Sequence, residues 1–355
     1  MTENQAPAAP GWDAIDAALS RLYGTRQPKH YGTLIPYRLG GPDPLHGVSA
    51  YFNDSPTPHW HYVSYGLTEL WEKEGQNPDV SGFGFELTFR LAVAREEPEP
   101  PLWPMGLLQN LARYVFTTGN YFEAGHHFDL NGPIALSEKT ALCAVAFAQD
   151  PRLGVARSPN GAFEFLQAVA LHADELDVIR GWNTAGLLEL LAKADPLFIA
   201  RLDRPSVLED AALAQELGER MEKEGSSTGS LFAPVVTWTR SPWGGGFELT
   251  LAAISLANLD RLLHGRIRFG RGFLVQAGDA PSQKVRFEPG AAPGVELRDG
   301  VLTVSLTAEA ALELRRALAP GKRGEYRVAS LPELAIQVVP TEVKDGQGTV
   351  VKVVG

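Results

Sequence analysis

Apolar side chains near the start of the chain recur every three to four positions. These positions are Trp12, Ile15, Leu19 and Leu22. Because residues three and four apart share one face of a helix, the spacing predicts an amphipathic helix over residues 12–23 that packs on a core. A second helix is predicted over residues 104–116, after the proline-rich EEPEPP has broken the chain. Further helices are predicted over residues 172–182, 184–193 and 207–223.

The sharpest alternation of apolar and polar residues lies in FGFELTFRLAV, residues 83–93. One set of alternate positions carries Phe83, Phe85, Leu87, Phe89 and Leu91, and the other carries Gly84, Glu86, Thr88 and Arg90. Successive side chains of a strand point to opposite faces, so the pattern predicts one apolar core face and one polar face, solvated or ion-paired. Strands are also predicted over residues 59–67, 163–171 and 197–203.

The polar, glycine-containing stretch EKEGSSTGS has the composition of a linker between two domains. The predicted organisation is a disordered tail (1–10), a first domain (11–224), a linker (225–234) and a second domain (235–355). Beyond the linker, strands are predicted over residues 235–240, 247–254, 273–277, 284–288, 301–306 and 334–339. The one clear helix there, 307–319, starts with Thr307 as its N-cap. The fold class is therefore α+β, with a mixed sheet-and-helix first domain and a smaller, β-rich second domain.

The composition is that of a soluble globular protein. Of the 355 residues, 44% are hydrophobic and 21% are charged. No membrane-spanning stretch or signal-peptide pattern is visible, which predicts a cytoplasmic protein without membrane association. Cys143 is the one cysteine, so an intramolecular disulfide is excluded.

The formal net charge of −10 at pH 7 bears on the kind of partner. Proteins that bind nucleic acids normally present a basic face, so nucleic-acid binding is not predicted. An acidic surface favours a basic protein partner, although it also simply keeps a protein soluble. Both interpretations remain open.

The sequence carries no familiar catalytic or cofactor motif. It lacks GxSxG and a phosphate-binding loop, and the glycines of GGGFELTL precede a strand where a dinucleotide fingerprint needs a helix. No catalytic residue and no cofactor are assigned, and the chain is predicted not to be an enzyme. Glu86 could act as a lone acid, but a strand face shared with Thr88 and Arg90 favours a structural role.

The histidines leave a metal-dependent hydrolase open as an alternative. His59 and His61 share one face of a strand and could bind one zinc ion, with His126 or His127 and Asp129 completing the site. No HExxH or paired-cysteine pattern supports this, so no metal ligand is assigned. The competing interpretation is that His59, Trp60 and His61 hydrogen-bond and stack within the first domain.

Aromatic residues favour a binding surface around residues 117–133, which are predicted to be a long loop or an edge strand. Tyr114, Tyr121 and Phe122 cluster in or just before this segment. Exposed rings beside an edge strand would suit capture of an extended peptide, with main-chain hydrogen bonds supplying affinity. The alternative is that all three rings are buried.

Several long motifs, in a fixed order, resemble the Suppressor of Fused family. They are GWDAIDAALSRLY (11–23), YRLGGPDPLHGVSAY (37–51), HWHYVSYGLTELW (59–71), SGFGFELTFRL (81–91), LWPMGLLQNLARYVF (102–116), FEFLQAVALHADEL (163–176) and GWNTAGLLELL (181–191). The later motifs LLHGRIRFGRGF (262–273) and LTVSLTAEAALELRRAL (302–318) resemble that family's C-terminal domain.

This resemblance implies a non-catalytic, two-domain binding protein that holds an extended peptide of its partner as a strand between the domains. The animal proteins sequester zinc-finger transcription factors of the Hedgehog pathway. The resemblance places Tyr114, Phe122 and His126 on the first-domain side of this groove, and Leu231 and Ala233 on the other. His126 stands where animal proteins carry an acidic residue that receives a histidine of the partner, which implies a different partner.

The resulting hypothesis is a protein-binding module that captures an extended peptide or protein partner between its two domains and acts as an immunity protein that neutralises a basic toxin. The abundance of arginine, alanine, leucine and glycine indicates a GC-rich, bacterial source. The alternatives are the metal-dependent hydrolase and a regulator that sequesters an endogenous transcription factor. The sequence does not specify the oligomeric state.

Overall fold

Two compact units make up the chain, of which the computed structural model describes residues 8–94, 99–241, 245–277, 283–344 and 349–355. The first unit contains the chain up to Leu176 together with Thr184–Leu213, and the second contains Asp177–Asn183 together with Ala214–Gly355. This arrangement confirms the predicted α+β class with two domains. The predicted tail lies mostly outside the described residues, and the first helix begins at Pro10.

The first unit is built on an eight-stranded mixed sheet. Its helices are α1 (Pro10–Tyr23), α2 (Trp103–Thr118), α4 (Thr184–Ala194) and the start of α3 (Ala173–Gly181). Its strands are β1 (Lys29–Gly32), β2 (Gly47–Asn53), β3 (His59–Tyr65), β4 (Val80–Ala92), β5 (His127–Asp129), β6 (Leu142–Gln149), β7 (Val155–Ser158) and β8 (Gly161–His172). The strand order is β1-β2-β3-β4-β8-β6-β5, with β7 paired to β8.

Local sequence explains where the two helices that cover this sheet begin and end. A proline occupies the first turn of both α1 and α2, where a missing N–H costs no hydrogen bond. Both helices stop at a glycine with positive φ, Gly24 and Gly119, and each glycine N–H bonds back to the helix. These stops place Tyr23 and Tyr114 in the final turns of their helices.

The central strand β4 is buried on both faces, which corrects the prediction of a solvated polar face. Its apolar side chains pack with α2 in one hydrophobic cluster. The opposite side of the sheet packs against α1 in a second cluster, and Glu86, Thr88 and Arg90 are all buried. The ion-paired alternative holds for Arg90, which contacts Asp150.

The strand predicted over residues 197–203 is wrong. Ala200 makes an isolated bridge to Leu91, and the surrounding residues are irregular. Phe198 has a positive φ of 51°, which a continuous strand does not allow. The side-chain amide of Gln167 donates to the carbonyls of Leu197 and Phe198, so β8 holds this segment through a side chain.

The second unit contains two larger sheets and a terminal hairpin. Its helices are α5 (Ala211–Glu224), α6 (Leu256–Arg266) and α7 (Ala308–Leu318). Its strands are β9 (Ser230–Phe232), β10 (Val236–Arg240), β11 (Phe247–Ala252), β12 (Phe273–Gln276), β13 (Lys284–Pro289), β14 (Gly294–Arg298), β15 (Val301–Leu306), β16 (Gly324–Tyr326), β17 (Leu334–Val339), β18 (Thr341–Lys344) and β19 (Val350–Val354). The sheet orders are β10-β11-β17-β16 and β14-β15-β13-β12-β9, and β18 pairs with β19.

All six strands predicted in the second domain are confirmed, and so is the N-cap of α7. The Thr307 hydroxyl accepts a hydrogen bond from the Ala310 N–H at 3.2 Å. The stretch predicted as a linker contains β9, and α5, assigned to the first domain, lies mostly in the second unit. The domain limits at 224 and 235 therefore remain a proposal. Within the described ranges, no helix combines the length and apolar character needed to cross a bilayer.

Candidate partner-binding surfaces

The aromatic cluster at the end of α2 divides into a buried and an exposed part. Phe122 is only 5% exposed and stacks on Phe147, with ring centroids 4.2 Å apart. Tyr114 is half-buried and stacks on the other side of Phe122 at 5.6 Å. Tyr121, by contrast, is exposed. Neither interpretation of the sequence holds in full, because the alternation at 121–122 turns one ring outward and one into the core.

His126 lies on the exposed loop that leads into β5. Its ring Nδ1 accepts a hydrogen bond from the backbone N–H of Glu123 at 3.2 Å. The backbone N–H of His126 donates to the Glu123 carbonyl at 3.0 Å. The ring Nε2 lies 3.6 Å from the Glu123 carboxylate. Because Nδ1 acts as an acceptor, the proton of the neutral ring sits on Nε2, next to that carboxylate. The ring therefore presents an N–H donor at the surface, beside an acidic side chain.

Strand β5 confirms the edge-strand alternative for residues 117–133, since it is the last strand of its sheet. The carbonyl of His126 accepts a hydrogen bond from the Phe147 N–H, and the N–H of Leu130 donates to the Cys143 carbonyl, so β5 and its flanking residues pair with β6 on one side. Phe128 packs its ring on Tyr114 with centroids 4.8 Å apart. The predicted residues Tyr114, Phe122 and His126 are thus brought together around one sheet edge.

Strand β9 forms the edge of the five-stranded sheet in the second unit. The Gly229 carbonyl accepts from Leu274 at 3.0 Å, and the Ala233 N–H donates to Gln276 at 2.9 Å. Residues of even and odd number alternate in direction along a strand, so the backbone groups of Ser230 and Phe232 point away from β12.

The same alternation separates the side chains of β9. Leu231 and Ala233, the residues named from the family resemblance, are buried in the core of the second unit. Phe232 is 65% exposed and was missed by the sequence reasoning. The alternation of side chains along a strand could have revealed it, because burial of Leu231 and Ala233 on one face of SLFA places the phenylalanine between them on the other face.

The histidines do not assemble a metal site in the part of the chain that the structure describes. His59 and His61 are both buried, and His59 Nδ1 lies 2.7 Å from the Thr57 carbonyl. His126 is exposed on its loop, and no group of three histidine, cysteine or acidic side chains is arranged to hold a metal ion among the described residues. Trp60 packs edge-on against Phe52, with ring centroids 5.4 Å apart. This contact agrees with the competing interpretation, in which the motif hydrogen-bonds and stacks within the first domain.

A buried ionic network occupies the polar face of β4. Arg90 forms a two-pronged ion pair with Asp150, at 2.8 and 3.0 Å, and also donates to Gln167. His61 Nδ1 lies 2.6 Å from the Tyr23 hydroxyl, while its Nε2 lies 3.2 Å from Asp150. That second contact is close but is not an aligned hydrogen bond, since Nε2 has no hydrogen-bond partner among the described residues.

The environment of His61 and Asp150 sets their charge states. Burial lowers the pKa of His61 to about 4, and the Arg90 charge acts in the same direction. Although burial alone would raise the pKa of Asp150, contacts with His61 and Arg90 hold that pKa well below its ordinary value. The network is therefore a neutral imidazole beside an arginine–aspartate pair. It is sealed from solvent, and this supports a structural role.

Glu86 is a fully buried carboxylate surrounded by donors. It accepts five hydrogen bonds: from the hydroxyls of Ser64 and Thr68, and from the N–H groups of Gly66, Leu67 and Thr68. Burial raises its pKa to about 7, against the opposing effect of these donors. Because it binds the turn that follows β3, Glu86 orders the backbone, in agreement with the structural role predicted for it.

The comparisons with known proteins agree with this two-unit α+β fold. Residues 41–205 match the family model described as Suppressor of fused protein. The mouse Suppressor of fused homolog is 38% identical over 241 residues, covering 63% of this chain and 49% of the mouse protein. The chain thus spans about half the length of the curated relatives it matches.

Two solved structures extend the comparison to the fold. The crystal structure of Drosophila Suppressor of Fused aligns with a TM-score of 0.78 and 25% identity, covering 93% of this chain and 97% of that one. A chain of the Sufu-Fu complex crystal structure aligns with a TM-score of 0.55 and 34% identity, covering 59% of this chain and 98% of its own length. The chain belongs to the Suppressor of Fused family.

Proposed function

We propose that this protein is a non-catalytic, cytoplasmic binding module that captures an extended segment of a protein partner. Support comes from the family, one of whose members has been crystallised in a Sufu-Fu complex. The observation that carries the proposal is the outer edge of β9, where Ser230 and Phe232 direct their backbone groups away from β12. Such an edge can accept one further strand.

In this proposal, backbone and side chains contribute differently to binding. The backbone groups of Ser230 and Phe232 pair with the partner strand, while the exposed Phe232 ring covers apolar side chains of that strand. Leu231 and Ala233 act from the core, by holding β9 in place. The family resemblance further proposes that Tyr114 and His126 of the first unit contact a partner. The Nε2 proton of His126 would favour an acceptor or an acidic side chain in the partner.

A proline substitution in β9 tests the proposal directly. Ser230→Pro removes an N–H that points away from the sheet, a position where edge strands tolerate proline. Phe232→Ser removes the exposed ring. Tagged protein is used to capture partners from the source organism, with identification by mass spectrometry. We expect one stoichiometric partner with the unaltered protein, and its loss with either variant.

The matched control is Leu136→Ser, because Leu136 is 91% exposed and lies in the first unit, outside β9. This variant should retain the partner. A partner that is held equally by Ser230→Pro, Phe232→Ser and the control would show that β9 is not the binding edge. Equal thermal unfolding of all four proteins excludes loss of folding as the cause.

The finer proposal is that the partner is a basic toxin, so that the protein acts in immunity. The net charge of −10 supports it, since opposite charges speed the encounter of two proteins. The isolated partner should then be toxic when expressed alone and inactive in a one-to-one complex. Raising salt from about 50 to about 300 mM should lower the association rate about tenfold or more. A non-toxic, endogenous partner would favour the regulatory alternative.

A further inference from the structure

A short loop of the first unit exposes an unusual number of large apolar side chains. Residues 33–39 follow β1, and within them Leu34 is 98% and Leu39 72% exposed. Ile35 is also exposed, and Tyr37 is partly so. Single apolar residues at a surface need no explanation, but a contiguous group of this kind is typical of an interaction site.

The exposure of this loop does not come from a lack of structure. The Thr33 hydroxyl donates to the Leu45 carbonyl at 2.6 Å, and the Thr33 N–H donates to His46. At the other end, the N–H of Gly41 donates to Pro36. A Cβ at Gly41 would lie 2.0 Å from the carbonyl oxygen of Ile35, so only glycine allows this close approach. The apolar side chains are therefore held outward by a loop whose backbone is fixed by hydrogen bonds at both ends.

Tyr37 and Arg38 of the same loop line a cavity of about 500 Å³. Its walls include three further aromatic rings, Trp71, Phe83 and Phe116. Phe116 packs edge-on against both Tyr37 and Phe83, at centroid distances of 5.3 and 5.0 Å. The cavity thus offers fixed ring faces to a ligand.

The remaining wall of the cavity is acidic. Glu69, Glu72 and Glu74 line part of it, and the Lys73 ammonium lies 2.7 Å from the Glu69 carboxylate. Among the residues that the structure describes, no cationic side chain pairs with the exposed carboxylates of Glu72 and Glu74. The Arg38 guanidinium lies 5.5 Å from the Trp71 ring, so this ring already has a cationic neighbour, whereas the carboxylates of Glu72 and Glu74 remain available to an incoming cation.

We propose that residues 33–39 and the adjoining cavity form a second protein-binding surface, which accepts a lysine or arginine flanked by large apolar residues. The incoming cation pairs with the carboxylates of Glu72 and Glu74, while its apolar neighbours cover Leu34 and Leu39. Charge complementarity selects this occupant, because two unpaired carboxylates disfavour an acidic segment and a purely apolar one leaves them without a counter-charge. The surface lies wholly in the first unit and does not involve β9.

To test this proposal, random peptides of about 12 residues are displayed on phage and selected for binding to the full chain. Selections run in parallel on Glu72→Gln/Glu74→Gln and on Leu34→Ser/Leu39→Ser. Leu136→Ser and Glu248→Gln remove an exposed leucine and an exposed carboxylate elsewhere, so they serve as matched controls. We expect enriched sequences in which a basic residue is flanked by large apolar residues.

An enriched peptide, synthesised and measured by fluorescence anisotropy, should bind both double variants about tenfold or more weakly than either control. Replacing its basic residue by glutamine should weaken binding to the unaltered protein to a similar degree. The proposal is overturned if no sequence is enriched, if the glutamine peptide binds as well, or if the variants keep full affinity. Binding of phosphatidylcholine vesicles that requires Leu34 and Leu39 but not the two glutamates would replace the peptide by a lipid surface.

Discussion

The two faces of β4 are equally buried but are stabilised by different means. Phe85, Leu87 and Phe89 on one face contact α2 and other apolar side chains. Arg90 on the other face is 1% exposed and is surrounded by polar partners. Alternation along a strand therefore identifies which residues share a face, but burial depends on what covers that face. Here α1 covers the polar face, which composition alone suggests is exposed to solvent.

The two faces also differ in how they respond to the loss of one side chain. On the apolar face, a truncated residue leaves a cavity, and neighbouring side chains can partly relax into it. On the polar face, Asp150 receives hydrogen bonds from Thr88, Arg90 and two backbone N–H groups. Removal of one partner there leaves another charge buried without compensation. The polar face should therefore be the more sensitive of the two.

The largest expected effect is that of Asp150→Ala. The substitution leaves the Arg90 guanidinium buried, and among the described residues Gln167 is then its remaining side-chain hydrogen-bond partner. We expect the free energy of unfolding to fall by about 4 kcal/mol, the cost typical of breaking a buried ion pair. Urea denaturation at neutral pH, followed by circular dichroism, measures the change.

Asp177→Ala is the matched control for this experiment. Asp177 pairs with Arg261 at 2.9 Å, but both side chains remain accessible to solvent, at 46% and 31% exposure. Exposed pairs contribute little, so the control should lose less than about 1 kcal/mol. Similar losses for the two variants would mean that the Arg90 pair is not buried in solution, and the distinction between the faces would fail.

Leu87→Ala addresses the apolar face and should cost somewhat less. Leu87 is completely buried in the cluster that packs against α2. The expected loss is about 3 kcal/mol, the usual result of a cavity at a buried leucine. Leu136→Ala, at an exposed site, should change the free energy of unfolding by no more than about 0.5 kcal/mol. A loss at Leu87 that clearly exceeds that of Asp150→Ala would reverse the order of the two faces.

Regular patterns allowed much of this fold to be predicted from the sequence. The strands and helices with strong periodicity, such as β4 and α1, were found because one covered face imposes a period on the sequence. Helix α6 was not predicted, because its leucines continue the apolar run AAISLA that follows β11. The segment 197–203 has a strand-like composition but is held by Gln167 from β8, which no local pattern reveals.

The candidate surfaces could be predicted only in part. Tyr114 and His126 were assigned from the family resemblance, and the structure places them around the edge strand β5. Phe122 was assigned to the same surface, yet its ring completes the core beneath it. For β9, the resemblance named Leu231 and Ala233, but the direction of each residue depends on the register with β12. Register is a property of long-range pairing and is not encoded in a four-residue motif.

The polar face also predicts a pH dependence, centred on His61. Its surroundings are Tyr23 from α1, Arg90 from β4, and Asp150 after β6, with His59 on its own strand. The pKa of His61 is about 4 in the folded protein and 6.5 when unperturbed, so acidification protonates the unfolded chain first. The contribution of the neutral, buried His61 to the free energy of unfolding is complete above pH 6.5 and is lost as the pH falls toward 4. At about pH 5 the loss amounts to about 2 kcal/mol.

His61→Gln removes this titration while keeping an acceptor for the Tyr23 hydroxyl. Between about pH 7.5 and pH 5, the decrease in its free energy of unfolding should be about 2 kcal/mol smaller than the decrease in the unaltered protein. Glu86, whose raised pKa of about 7 makes its contribution largest in acid, is present in both proteins and cancels in the difference. His126→Gln, at an exposed histidine, should follow the unaltered protein. If the stabilities of His61→Gln and the unaltered protein change in parallel with pH, the imidazole is not held neutral by burial. The polar face of β4 would then be open to water after all.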